Sequence, residues 1–113
     1  IGKILYIMKL IDLEPKFLKI TGENTHQQID DIKIADGIMF ACPVCFKTND
    51  GLIGTHSIIC WQPHVPQSKT PKPGRWSFHG TGYGDLELRA GSSSILLNGG
   101  CNAHFFIRNG EIQ

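Results

Sequence analysis

Cys42-Pro43-Val44-Cys45 and Cys101-Asn102-Ala103-His104 are the stretches that decide the predicted fold of this chain. Each places two soft or borderline metal ligands three positions apart on what we expect to be a tight turn. That spacing lets both side chains reach one ion while backbone amides donate hydrogen bonds to the thiolates. Three cysteines and one histidine form a closed tetrahedral zinc set. The sequence therefore predicts a structural Zn²⁺ bound by Cys42, Cys45, Cys101 and His104.

The two ligand pairs are far apart in the chain, with 55 residues between Cys45 and Cys101. Closing so long a loop costs only slightly more entropy than closing a short one. A structural zinc contributes on the order of 10 kcal/mol in small domains, which offsets that cost. Two alternatives remain open: paired disulfides in an oxidising compartment, and a redox Cys-x-x-Cys motif. The redox motif requires a helix directly after it, whereas residues 46–51 are typical of a turn.

The composition indicates a small domain rich in turns. The 113 residues include 13 glycines and 6 prolines, and this excess disfavours helical bundles and coiled coils. We predict a mostly β fold, a compact zinc-stapled antiparallel sheet domain with at most one short helix, with a small α+β arrangement as the alternative. A single domain is expected over residues 8–113. Residues 1–7 are expected to be an extension, because Met8-Lys9-Leu10 is typical of a natural start.

Short strands are predicted where apolar or β-branched residues alternate between turn signals. Residues 47–51 and 80–84 are predicted turns, the proline-rich residues 62–74 one long loop, and Asn109-Gly110 a hairpin turn. A short helix is favoured over residues 30–36, although Ile32 and Ile34 also fit a strand. The predicted strands are two extended pieces within 9–20, then 55–61, 75–79, 85–89, 94–97 and 104–107. Residues 37–41 are a compact apolar run that leads into the first cysteine pair.

The charge balance argues against a general nucleic-acid or membrane partner. Eleven Lys and Arg face ten Asp and Glu, for a net charge of +1, and no apolar run reaches the length of a membrane span. Lys69, Lys72 and Arg75 form a small basic group, so weak nucleic-acid binding through residues 69–75 is an alternative function. No signal peptide is evident.

An enzymatic function is disfavoured because four protein ligands leave no open position on the metal. No catalytic residues or organic cofactor are predicted. The alternative is a metal-dependent hydrolase that uses His56, which opens a strand and is expected close to the metal. Cys60 lies between Ile59 and Trp61 and is expected to be a small buried hydrophobe. His26, His64 and His79 are expected at the surface.

The combination of motifs resembles a family of small bacteriophage and prophage proteins, some relatives of which carry the label ammonia monooxygenase. The resemblance covers about residues 8–112, and it implies metal ligation by Cys42, Cys45, Cys101 and His104, with His56 close by. It implies no reaction, and it places the protein in the host cytoplasm or the virion. The residues that carry it are Asp12-Leu13, Phe17-Leu18, residues 35–40, Cys42-Pro43-Val44-Cys45, Gly54-Thr55-His56-Ser57, Gly74-Arg75-Trp76, Gly80-Thr81-Gly82, Asp85-Leu86, Gly99-Gly100-Cys101, His104 and Asn109-Gly110.

The predicted function is that of a phage-type accessory protein with a structural zinc site. Its expected mode of action is binding to a protein partner, either a virion component or a host factor. The sequence predicts no oligomeric state and does not name the partner.

Overall fold

The computed structural model describes residues 8–90, 94–97 and 101–113, so the prediction for residues 1–7 lies outside the described residues. Within these ranges the chain forms short strands, one α-helix, α1 (Pro43–Asn49), and two 3₁₀ helices, Leu10–Leu13 and Ile32–Ile34. The strands are β1 (Lys16–Ile20), β2 (His26–Ile29), β3 (Gly37–Ala41), β4 (Ser57–Trp61), β5 (Ser77–His79), β6 (Glu87–Arg89), β7 (Ile95–Leu96), β8 (His104–Phe105), β9 (Ile107–Arg108) and β10 (Glu111–Ile112).

An antiparallel sheet in the order β2-β1-β3-β4 forms the centre of the molecule. Three two-stranded antiparallel ladders, β5-β6, β7-β8 and β9-β10, accompany it in the described part of the chain. The prediction of a mostly β, antiparallel domain with at most one short helix is confirmed.

Both faces of the four-stranded sheet are covered, because side chains alternate between the faces of each strand. Phe17, Ile38 and Phe40 point into the main core, together with residues of the three small ladders. Leu18, Gly37 and Trp61 occupy paired positions on the other face, where Leu18 and Trp61 form a second, smaller cluster. Val65 of the 62–74 loop packs into this second cluster and attaches the loop to the sheet.

Gly37 is required by the close approach of Trp61, which lies directly opposite it in the β3–β4 register. A Cβ atom at position 37 would collide with the Trp61 indole and would lie 2.9 Å from the carbonyl oxygen of Cys60. The indole therefore covers the space that a side chain at position 37 would occupy. This contact fixes the register of the two strands that carry the candidate site.

The helix predictions need correction. Residues 30–36 form only a single 3₁₀ turn, Ile32–Ile34, and the Asp31 side chain accepts a hydrogen bond from the Lys33 N–H. The α-helix is α1, in a stretch where a turn was predicted. Pro43 at its first turn is preorganised for a helical start, and Asp50 ends it in a left-handed conformation at φ 51°.

The predicted Asn109-Gly110 turn is confirmed, with φ angles of 50° and 71° at the two residues. Positive φ at both positions is what a two-residue hairpin requires, and it lets Arg108 pair with Glu111. Gly110 also donates a hydrogen bond to the Leu86 carbonyl and accepts one from the Leu10 N–H. The turn therefore joins the C-terminal hairpin to the beginning of the domain. The predicted strand over residues 104–107 is divided between β8 and β9.

Candidate metal centre

The β3–β4 register brings the first two site residues together. Cys42 follows β3 directly, His56 precedes β4 directly, and the Cys42 N–H donates a 2.8 Å hydrogen bond to the His56 carbonyl. Residues at directly opposite positions of an antiparallel pair project to the same face. Both side chains therefore lie on the main-core face, one step beyond the ladder that ends with Ala41 opposite Ser57.

Cys45 reaches the same place because α1 begins immediately after Cys42. Cys42 is the N-cap, and its carbonyl accepts the first helical hydrogen bond, from the Phe46 N–H at 2.8 Å. A helix brings residues three positions apart onto one face. The Cys42-Pro43-Val44-Cys45 motif thus opens a short helix. A redox Cys-x-x-Cys motif requires a following helix, and the structure does have one here, so that reason for disfavouring a redox function no longer holds. All four cysteines are free thiols in the structure.

Cys101 arrives from the C-terminal part of the chain. Asn102, which follows it, adopts a left-handed conformation at φ 50°, and Ala103 is buried. The Ala103 N–H donates to the Cys101 thiol, and its carbonyl accepts a hydrogen bond from the Leu97 N–H at 2.8 Å. The turn at Asn102 and the burial of Ala103 hold the Cys101 sulfur at the edge of the core.

The four side chains form one compact cluster of metal-ligating atoms. The ligand atoms of Cys42, Cys45, His56 and Cys101 all lie within 4.8 Å of one another. The Cys42 and Cys101 sulfurs are 3.6 Å apart, and the His56 Nε2 atom is 3.4 Å from the Cys101 sulfur. One metal ion can therefore contact all four atoms.

The thiols of the cluster are electrostatically unlike one another. The hydrogen bond with His56 is the main reason that the pKa of Cys101 falls to about 7. Burial, followed by the interactions with the thiols of Cys101 and Cys42, raises the pKa of Cys45 to about 11. A thiolate at Cys101 is favoured by the adjacent imidazole, whereas a second thiolate nearby is disfavoured by repulsion from the first. A cation among the sulfurs would remove that opposition.

His104, the fourth ligand predicted from the sequence, is not part of the cluster. It lies in β8 opposite Leu96, and its ring is 6.0 Å from that of Phe106. Phe105 is buried in the core, so strand alternation directs the preceding residue, His104, to the exposed side. The structure thus assembles three of the predicted ligands with His56, which was expected only near the metal.

The remaining cysteine and histidines lie apart from the cluster. Cys60 is fully buried in the main core, and burial raises the pKa of its thiol. His26, His64 and His79 are all exposed. The Asp36 carboxylate accepts hydrogen bonds from His64 at 2.7 Å and from the Ile20 N–H at 2.8 Å.

The 62–74 loop is built around Arg75. Its guanidinium donates hydrogen bonds of 2.6 to 3.0 Å to five carbonyl groups of residues 65–74. The Lys69 ammonium lies 5.8 Å from the centre of the Trp61 ring and donates to the Glu23 carbonyl. Within the described residues, only Lys72 of the predicted basic group has no polar partner. The group therefore serves mainly to shape the loop.

A groove of about 1010 Å³ adjoins the Cys/His cluster, since Cys45, His56 and Cys101 contribute to its lining. Residues 57–60 of β4, residues 71–74 and residues 94–97 also line it. The exposed side chain of Leu96 belongs to this lining.

Comparisons with protein-family models, with curated proteins and with solved structures returned no match. The resemblance to phage proteins therefore stays a prediction. Among the described residues, no helix is both long and apolar enough to cross a bilayer.

Proposed function

We propose that this chain is a zinc-stapled domain in which Cys42, Cys45, His56 and Cys101 hold one structural Zn²⁺. The spacing of the donor atoms carries the proposal. Tetrahedral Zn²⁺, with Zn–S bonds of about 2.3 Å and Zn–N bonds of about 2.0–2.1 Å, holds two sulfurs about 3.8 Å apart and a nitrogen about 3.6 Å from a sulfur. The corresponding separations in the cluster are 3.6 Å and 3.4 Å. Thiolate and imidazole donors favour zinc over the hard cations Mg²⁺ and Ca²⁺.

The donor set supports a structural site in preference to a hydrolytic one. A catalytic zinc has three protein ligands and an open position for water, whereas this cluster supplies four. The hydrolase alternative required His56 as a base beside the metal. As a ligand, His56 has its Nε2 lone pair directed at the ion, and that atom is then unable to accept a proton.

The proposed metal would join three parts of the fold that are distant in sequence. It links the open end of the β3–β4 ladder, the first turn of α1, and the segment that leads into β8. Since such a site forms only in the folded chain, the free energy of metal binding becomes folding free energy. Removal of the metal should therefore unfold most of the domain, not just one loop.

We further propose that the domain acts by binding a protein partner. A net charge of +1 gives no general attraction to nucleic acid, and Arg75 and Lys69 are engaged within the fold. The side chains of Leu52 and Ile53 are 42% and 93% exposed, so the loop between α1 and β4 presents apolar surface. A phage or prophage source, with the virion or host cytoplasm as the place of action, belongs to the same proposal and is supported by the resemblance of the sequence motifs.

Metal counting on the purified protein tests the zinc proposal. We expect one zinc per chain, no thiol accessible to a thiol-reactive dye in the native state, and four accessible thiols after chelation and denaturation. Cys101→Ser should abolish stoichiometric zinc binding and unfold most of the protein. The control Cys60→Ala should keep both the bound zinc and the fold. A folded protein without zinc, or a Cys101→Ser variant that melts like the parent, would overturn the proposal.

A further inference from the structure

The free edge of β4 presents unpaired backbone groups in a defined register. Cys42 bonds to His56, and the Gln62 N–H donates to the Asp36 carbonyl, so both pairs are hydrogen-bonded pairs of the β3–β4 ladder. Such pairs alternate along an antiparallel ladder. The backbone groups of Ser57, Ile59 and Trp61 therefore point away from β3. The Trp76 N–H donates to the Trp61 carbonyl at 3.0 Å, as this register requires.

Ser57 and Ile59 carry the available part of this edge. Within the described ranges, their N–H and C=O groups have no partner on the side away from β3. An unpaired edge of this kind is a template for a further strand. The Trp76 N–H already occupies the Trp61 carbonyl, so the unpaired part of the β4 edge is about as long as one short strand.

The groove lies along this same edge. Ser57, Ile58, Ile59 and Cys60 line the groove together with residues 71–74. Arg75 holds residues 71–74 in place through its bonds to the Pro71 and Gly74 carbonyls, at 2.7 Å and 2.8 Å. The groove is thus preformed, which lowers the entropic cost of binding.

Two charges decide what the groove can bind. Lys72 is the only Lys or Arg in the described lining, and none of the lining residues is a carboxylate. Beside His56, a Zn²⁺ bound by three thiolates and a neutral imidazole would carry a net charge of −1. An occupant that matches this pattern has its acidic group beside Lys72 and no acidic group beside the metal.

We propose that the groove binds an extended peptide segment of another protein, which adds a strand to the free edge of β4 and places a carboxylate against Lys72. The inference deepens the proposed partner-binding function and rests on it. The unpaired edge provides the main-chain hydrogen bonds, and the apolar lining that includes Leu96 receives alternate side chains. Lys72 is the group in the lining that pairs with the acidic residue of the peptide.

A displayed library of random ten-residue peptides, selected against the zinc-loaded protein, is the probe. We expect enriched sequences with alternating apolar residues and an acidic residue at a constant position. Methylation of the backbone nitrogen at successive positions of an enriched peptide should weaken binding with a period of two residues. Only an added strand produces that period, because alternate amides face β4.

Two variants of the protein test the edge and the charge separately. Ile59→Pro removes an N–H that faces the groove and leaves the β3–β4 ladder bonds in place, so it should abolish peptide binding while zinc content is retained. Lys72→Glu should weaken binding about tenfold. Lys33→Glu, an exposed lysine outside the groove lining, is the matched control and should change binding by less than about twofold.

The outcomes separate this inference from the zinc proposal. Zinc-loaded, folded protein that enriches no peptide, or an enriched peptide indifferent to Ile59→Pro and Lys72→Glu, overturns the inference and leaves the metal site intact. A dimer in sedimentation that Ile59→Pro dissociates would also overturn it, because the occupant would then be a second copy of this chain. Enriched peptides that bind a zinc-free, folded protein would support the groove and refute the metal.

Discussion

Replacing His56 and His104 in turn distinguishes the ligand set of the structure from the set predicted by the sequence. Both histidines are exposed, so neither His56→Ala nor His104→Ala removes a buried side chain. Only His56 places a nitrogen 3.4 Å from the Cys101 sulfur. Any large difference between the two variants in zinc affinity will therefore report metal ligation, with little contribution from packing.

The size of the effect follows from the number of ligands. Structural zinc contributes about 10–16 kcal/mol through four ligands, which is roughly 2.5–4 kcal/mol for each. Loss of one ligand should weaken zinc binding by about 100-fold or more, after a water molecule recovers part of the interaction. His56→Ala should show this loss, and His104→Ala should bind zinc within about threefold of the parent.

The measurement is a competition titration in which a chromophoric chelator and the protein share a limiting amount of Zn²⁺ at neutral pH. His56→Cys is the rescue variant, since a Cys₄ set is also a structural zinc site and should restore much of the affinity. Circular dichroism of each zinc-saturated variant checks that the fold persists. A large loss in His104→Ala, with none in His56→Ala, would refute the assigned geometry and restore the original ligand prediction.

Three further predictions concern the fold around the site. Cys60→Ala should keep one zinc per chain. It leaves only a small cavity, so the free energy of unfolding measured by urea denaturation should fall by about 1–2 kcal/mol. Loss of zinc in this variant would show that Cys60 is a ligand. Burial acts to raise the pKa of Asp36, but the bonds from His64 and the Ile20 N–H and the charge of Lys19 outweigh it and hold the pKa below its usual value of 3.8. The stabilisation by this carboxylate is therefore present above about pH 4 and lost as the pH falls further, so the difference in melting temperature between the parent and Asp36→Asn should shrink below that pH; a constant difference would contradict the linkage. Gly37→Ala should destabilise the protein by about 1–3 kcal/mol through its clash with the Trp61 ring, whereas Gly82→Ala, with open space at its Cβ position, should be nearly neutral in thermal melts.

The fold class follows from local patterns that the sequence contains. A mostly apolar run of β-favouring residues predicted the strand at 55–61, and Asn109-Gly110 predicted the last hairpin because both residues tolerate positive φ. The α-helix was missed because seven residues are too few to show a helical period, and its start depends on Pro43 and the Cys42 carbonyl. β2 was not predicted because His26–Ile29 is mostly polar and forms a strand by pairing with β1.

Part of the candidate site could be predicted from the sequence, and part of it depends on the tertiary structure. The sequence by itself determined that Cys42, Cys45 and Cys101 belong together, because cysteines in pairs or at turns are the chemical signature of a thiolate site. Only the tertiary structure decided the histidine. The signal for His56 lay in the apolar run at 37–41 and the predicted strand at 55–61, but its use requires the knowledge that β3 and β4 pair in the register that sets Cys42 opposite His56. That register depends on Trp61 lying over Gly37, a contact between residues 24 positions apart that no local pattern encodes. His104 has the better spacing in sequence, but the burial of Phe105 turns it outward, because a strand cannot direct adjacent side chains to the same face.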